Sequence, residues 1–122
     1  MKNLLDSVIL IDHFNGIRLA NSYLQQVRAE SVISVITRAE VLCGFDDTGM
    51  ESAMQLLDRF PTLLIDRQAG DLAARLRRDH GWRLPDAFQA ALALIQGLKL
   101  VTRNTRDFPP EKFDFVVVPY RI

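Results

Sequence analysis

The chain has 122 residues, 15 Lys plus Arg against 15 Asp plus Glu, 48% hydrophobic residues, one Cys and two His. That length gives one domain, residues 1–122, with a sizeable core, which excludes a disordered chain and a disulfide-stapled secreted scaffold. Cys43, His13 and His80 fall short of the four N or S ligands of a structural zinc site, so any metal must be held by oxygen, and the zero formal charge excludes a protein that coats nucleic acid while leaving room for a local basic groove.

Residues 1–12 open with a Lys and an apolar stretch, but Asp6 and Asp12 interrupt it well short of a signal-peptide core. No run approaches the ~18 apolar residues of a membrane span, so the expected location is the cytoplasm. Leu4-Leu5 reads as a first strand. Ser7 to Phe14 reads as a helix ended by Asn15-Gly16, and Ile17 to Val27 as a second, with Ile17, Ala20, Tyr23, Leu24 and Val27 on one face. The β-branched run Ser31 to Val35 is a second strand. Thr37 to Phe45 returns to helix, with Asp46 to Gly49 as its exit loop, and Met50 to Phe60 is a further helix stopped by Pro61.

Thr62 to Ile65 is a third strand, and Asp66 caps the helix after it, whose core face is Ala69, Leu72, Ala73 and Leu76. His80-Gly81 ends that helix. Pro85 suits the first turn of the next, whose core face is Phe88, Ala91, Leu92 and Ile95 up to Gly97. Lys99 to Thr102 is a fourth strand, Arg103 to Pro110 a turn, and Phe115 to Val118 a fifth strand. Strands alternating with helices predict an α/β fold, a central, mostly parallel sheet of about five strands flanked by helices.

Four carboxylates stand out by position. Asp6 follows the first strand, Glu40 lies in the first turn of the helix after the second, Asp86 opens the helix before the fourth, and Asp107 lies just past the fourth. In an open parallel sheet the loops leaving the carboxyl ends of the strands gather on one edge, where such folds place their sites. Each acid also has an ordinary reading. Asp6 can cap a turn, Thr37 to Glu40 fits a capping box, Asp86 suits a helix's positive end, and Asp107 can fix a turn. Together they are harder to explain that way, because two carboxylates about 5 Å apart repel by about 3 kcal/mol at an effective dielectric near 20. A hard divalent ion such as Mg²⁺ or Mn²⁺ offsets that repulsion.

Leu-Leu-Asp-Ser-Val-Ile-Leu-Ile-Asp at 4–12, Ile-Ser-Val-Ile-Thr-Arg-Ala-Glu at 33–40, Leu-Pro-Asp-Ala at 84–87 and Val-Thr-Arg-Asn-Thr-Arg-Asp-Phe at 101–108 resemble the four signatures of PIN domains. Within these, the resemblance is closest to the VapC-type toxin endoribonucleases of bacterial toxin–antitoxin pairs, and it spans nearly the whole chain in the right order and intervals. It implies a PIN-like fold, an acidic core of Asp6, Glu40 and Asp86, Mg²⁺ with Mn²⁺ as substitute, an RNA substrate, a homodimer, and a small antitoxin whose tail fills the acidic groove. The chain departs from the family pattern in two places. Asn104 stands where many relatives carry the fourth acid, leaving Asn104 and Asp107 both as metal-site candidates, and Val8 replaces a polar residue, leaving Ser7 as the nearby hydroxyl.

The function implied is divalent-metal-dependent endonucleolytic hydrolysis of single-stranded or looped RNA, in which the ion makes water a usable nucleophile and offsets charge on the departing oxygen. Asp6 and Asp86 are the principal expected ligands, with Glu40 a further ligand or the group that orients the attacking water. Residues 1–66 carry five basic and nine acidic side chains, residues 67–83 five and two, and residues 98–122 five and three, so neutrality hides an uneven field. Arg83, Arg103 and Arg106 are the expected phosphate contacts, with Ser7 and Thr102 beside them. For Arg75, Arg77 and Arg78 the reading is a solvated face, for Trp82 and Cys43 a place in the core, and for His13 and His80 no catalytic role. Two other readings compete. One is a PIN-like RNA-binding or protein-interaction module with weak catalysis, suggested by Asn104 and Val8. The other is a phospho-acceptor receiver domain built on Asp66, which fits poorly because a single acid follows the first strand and Lys99 precedes the fourth.

Overall fold

The structure is a computed structural model that describes residues 1–122. Five short strands, β1 (Asn3–Leu5), β2 (Ser31–Ser34), β3 (Thr62–Leu63), β4 (Lys99–Val101) and β5 (Val116–Val117), form a wholly parallel sheet in the order β3-β2-β1-β4-β5. Six helices connect them: α1 (Ser7–Phe14), α2 (Arg18–Val27), α3 (Val35–Leu42), α4 (Asp47–Leu57), α5 (Arg67–His80) and α6 (Leu84–Gln96). A 3₁₀ turn, Arg28–Glu30, leads into β2. This is the expected α/β layering.

Side chains alternate across each strand, and that alternation divides the core in two. Leu4, Val32 and Leu100 join Ala69 and Ala73 of α5 and Ala87, Ala90 and Ala91 of α6. Leu5, Ile33 and Val101 point the other way, against Ile9 and Leu10 of α1, Leu24 of α2, Val41 of α3 and Leu57 of α4. Covering both faces is why the strands read as unbroken apolar runs. No helix is long and apolar enough to cross a membrane.

The structure departs from the sequence expectations where capping chemistry decides. Asp46, expected in a loop, accepts the N–H of Gly49 at 2.9 Å and starts α4. Ser34 caps α3 by accepting the N–H of Thr37 at 3.1 Å, so α3 begins at Val35. That places Glu40 in the second turn and removes the capping box in which it was to reach back to Thr37. Ile17 stands just before α2 without a capping side chain, so the helix begins at Arg18. β3 stops at Leu63 because it is an edge strand paired only with β2, and Leu64 beyond it is 75% exposed. Cys43 is exposed at the end of α3, not in the core, and its thiol donates to the Glu40 carbonyl.

β1 lies at the centre, with β2 on one side and β4 on the other, so the chain winds away from the β1/β4 seam in both directions. Loops leaving the carboxyl ends of β1 and β4 therefore part there and leave a crevice, the usual ligand position in such sheets. Gly97, left-handed at φ +66°, ends α6 and returns the chain so that β4 restarts parallel to β1.

Candidate active site

Asp6 leaves β1 at that crevice and caps α1. It is 6% exposed, and its carboxylate is almost fully hydrogen-bonded. Oδ1 accepts from the Ser7 N–H at 2.9 Å and from Gln89 Nε2 at 3.3 Å, while Oδ2 accepts from the Thr102 hydroxyl at 2.7 Å. Hydroxyl support for Asp6 therefore comes from the end of β4 and not from Ser7. Gln89 was not singled out in the sequence. Its Nε2 also donates to the Thr37 hydroxyl at 2.7 Å, its Oε1 accepts from the Ser34 hydroxyl at 2.7 Å, and Thr37 in turn donates to the Leu5 carbonyl at 3.1 Å. The available signal was a glutamine three residues after Asp86, inside a helix otherwise rich in Ala and Leu.

Asp86 and Glu40 are held differently. Burial, with the charges of Asp6, Asp107 and Glu40, pushes the Asp86 carboxyl up to about 6, against only a modest pull from Arg83. Its Oδ2 is buried without a hydrogen-bond partner, 3.9 Å from Nε of an Arg83 whose side chain is 83% exposed. Burial also raises Glu40, as does Asp6, with Ser7 and Arg83 opposing. All four predicted acids thus share one electrostatic neighbourhood, fed by β1, α3, α6 and the loop after β4. In that loop Asn104 Nδ2 donates to Asp107 Oδ2 at 3.0 Å and Asn104 Oδ1 accepts the Asp107 N–H at 3.3 Å. The Asp107 charge acts on Asp86, and Asn104 holds the Asp107 carboxylate.

Two expected substrate contacts have other tasks. Thr102 is fully buried, with its hydroxyl committed to Asp6, so it cannot reach a phosphate. Arg103 forms a bidentate pair with Asp12, Nε to Oδ2 at 2.6 Å and Nη2 to Oδ1 at 2.8 Å, and Tyr120 donates to the same Oδ2 at 2.8 Å. That edge of the guanidinium is occupied by Asp12. Arg83 and Arg106 remain exposed. Arg106 lines a cavity of about 250 Å³ with Lys112, His80 and Asp107, so it adjoins the acids. Trp82 is buried as expected, its Nε1 donating to the Asp107 carbonyl at 3.0 Å beneath a stacked His80. Arg38 pairs with Asp58 at 2.9 Å. His13 lines a separate groove between α2 and α4 that shares no residue with the acids.

The donor set is oxygen only, the chemistry that suits a hard divalent cation. A buried carboxylate oxygen without a partner, on a group whose ionisation three neighbouring acids oppose, fits a cation. No three of the carboxylates lie close enough together to form a ready-made ligand set.

Comparison with known proteins agrees with this geometry. The PIN domain family profile matches residues 4–110. The chain is 36% identical over 113 residues to Ribonuclease VapC10 of Mycobacterium tuberculosis, an alignment covering 87% of this chain and 85% of that protein. A chain of a toxin–antitoxin complex from Klebsiella pneumoniae superposes with a TM-score of 0.89 at 35% identity, covering 99% of this chain and 100% of the other. FitAcB from Neisseria gonorrhoeae shares the fold, with a TM-score of 0.79 at 20% identity over 98% and 99% of the two chains. The protein, with its acidic cluster at the carboxyl ends of a parallel sheet, belongs to the PIN domain family.

Proposed function

We propose that the protein is a divalent-metal-dependent endoribonuclease of the VapC type, the toxin of a toxin–antitoxin pair. The observation that carries the reading is the convergence of Asp6, Glu40, Asp86 and Asp107, with one carboxylate oxygen of Asp86 buried and unpartnered. Support also comes from the identity to a ribonuclease and the likeness to a toxin–antitoxin complex. Residues 1–122 act as one PIN unit on cytoplasmic RNA, as a homodimer, with a small antitoxin as the partner that silences it.

Asp6, Asp86 and Asp107 would hold Mg²⁺, with Mn²⁺ as substitute. The ion supplies the Lewis acidity that activates water and offsets charge on the phosphodiester. Asp6 is held in place by three donors. Glu40, with its proton affinity raised by burial, orients the attacking water and takes a proton from it. Asn104 keeps the Asp107 carboxylate turned into the cluster. Arg106 and Lys112, with the exposed Arg83, hold flanking phosphates. The test is incubation of purified, antitoxin-free protein with Mg²⁺ or Mn²⁺ and a panel of structured and single-stranded RNAs, with the ends mapped. Cleavage by the wild type and its loss in Asp86→Asn are expected. Intact RNA throughout would overturn the assignment.

A further inference from the structure

We propose that Gln89 is a positioning residue for Asp6, tying its carboxylate to the end of β2 and the first turn of α3 through Ser34 and Thr37. The inference rests on the nuclease reading above and adds a residue to it. A carboxylate offers about four lone-pair positions. Ser7, Gln89 and Thr102 occupy three of those on Asp6, leaving one on Oδ2. The direction in which Asp6 can serve a cation is therefore set by where its three donors hold it, and Gln89 is the donor that arrives from α6.

Gln89 is itself immobilised. Both N–H groups and the carbonyl oxygen have partners, and flipping the amide would place Oε1 against the Asp6 carboxylate. It is 1% exposed, among Ala87, Ala90, Ala91 and Leu92, positions at which an apolar side chain buries at lower cost. It also lies one helical turn from Asp86 on the same helix. α6 thus presents two unlike groups toward Asp6, a carboxylate with a free oxygen and an amide that fixes the opposing one. A residue serving only as buried filler would affect stability and nothing else, and that difference decides the test.

The experiment titrates metal-free protein with MnCl₂ by calorimetry at pH 7, alongside urea unfolding and RNA-cleavage kinetics, for the wild type, Gln89→Met, Thr37→Val and Thr37→Ser. Loss of a hydrogen bond supporting a metal ligand typically weakens affinity ~10–100-fold. Gln89→Met and Thr37→Val are expected to lose Mn²⁺ affinity in that range and to lower kcat with little change in KM for RNA. Thr37→Ser, which keeps the hydroxyl, is expected to restore Mn²⁺ affinity. A folded Gln89→Met with Mn²⁺ affinity and kcat within about twofold of the wild type would overturn the proposal while leaving the nuclease reading intact. If Gln89→Met does not fold, equal Mn²⁺ affinity in Thr37→Val and Thr37→Ser overturns it. A wild type that neither binds Mn²⁺ nor cleaves RNA overturns the nuclease reading first, and this proposal with it.

Discussion

Asp12 and Asp86 are both withdrawn from water, and the protein treats them in opposite ways. Asp12, 5% exposed, feels desolvation that raises its proton affinity, but Arg103 and Tyr120 more than offset it, so its carboxyl sits below the usual range. Asp86, with a side chain 13% exposed, has only a distant and solvated Arg83, faces three other acids, and is pushed up to about 6. Asp6 instead accepts from three neutral donors. The difference separates two uses of a buried acid. An acid that braces the fold comes with its countercharge, whereas Asp86 is left short of one, as the proposed cation site requires.

Breaking the comparison at Asp86 gives the largest expected effect. Asp86→Asn should reduce RNA cleavage by more than the ~10–100-fold typical of a lost supporting hydrogen bond, because it removes a proposed ligand itself. The metal-free variant should unfold at a higher urea concentration than the wild type, since a repelling charge has gone. Asp12→Asn should do the reverse. Removing one partner of a mostly buried pair costs about 3 kcal/mol, visible as a lower urea midpoint, while the folded fraction keeps its Mn²⁺ affinity. Mn²⁺ at about 100 times its Kd should stabilise the wild type by about 2.7 kcal/mol, an effect read by thermal melting that EDTA reverses and Asp86→Asn lacks.

The pH dependence sharpens the same contrast. Asp86 has a folded-state value of about 6 against the ordinary 3.8, so between those values the folded protein binds more protons than the unfolded. Its contribution to metal-free stability therefore grows as pH falls from about 6 toward 4, and Glu40, also raised, acts in the same sense. Asp12, lowered, stabilises above 3.8, and that contribution is lost as pH falls through its folded value. Urea unfolding of metal-free protein at pH 5 and pH 7 should show the gain at pH 5, and Asp86→Asn should diminish it. Mn²⁺ affinity should move oppositely, falling below about pH 6 as protons compete for Asp86. The smallest expected effect lies at the rim: Arg106→Ala with Lys112→Ala should raise KM for RNA a few-fold, flatten its salt dependence and leave kcat nearly unaltered, because exposed cations contribute mainly to encounter.

Much of this was legible without coordinates. Alternating apolar runs and helical periods specify the α/β layering, and the acids at strand ends and the helix start at Leu84-Pro85-Asp86 specify the cluster, because those positions follow from local chemistry and sheet topology. Helix starts at Ser34 and Asp46 were missed because several Ser, Thr and Asp residues compete for each cap and only the folded backbone selects one. Arg103 read as a phosphate contact because its partner Asp12 is 91 residues away in the chain.

The sequence by itself determined the layering, the positions of Asp6, Glu40, Asp86 and Asp107, and the oxygen-only character of any metal site. Those depend on residue type and on order along the chain. Tertiary structure alone decided what each buried acid meets. Asp6 meets Gln89 and Thr102, Asp12 meets Arg103 and Tyr120, and Asp86 meets other acids. Each of those pairings joins segments remote in sequence, and the charge of a buried group is governed by what stands within a few ångströms of it, a distance that chain order does not encode.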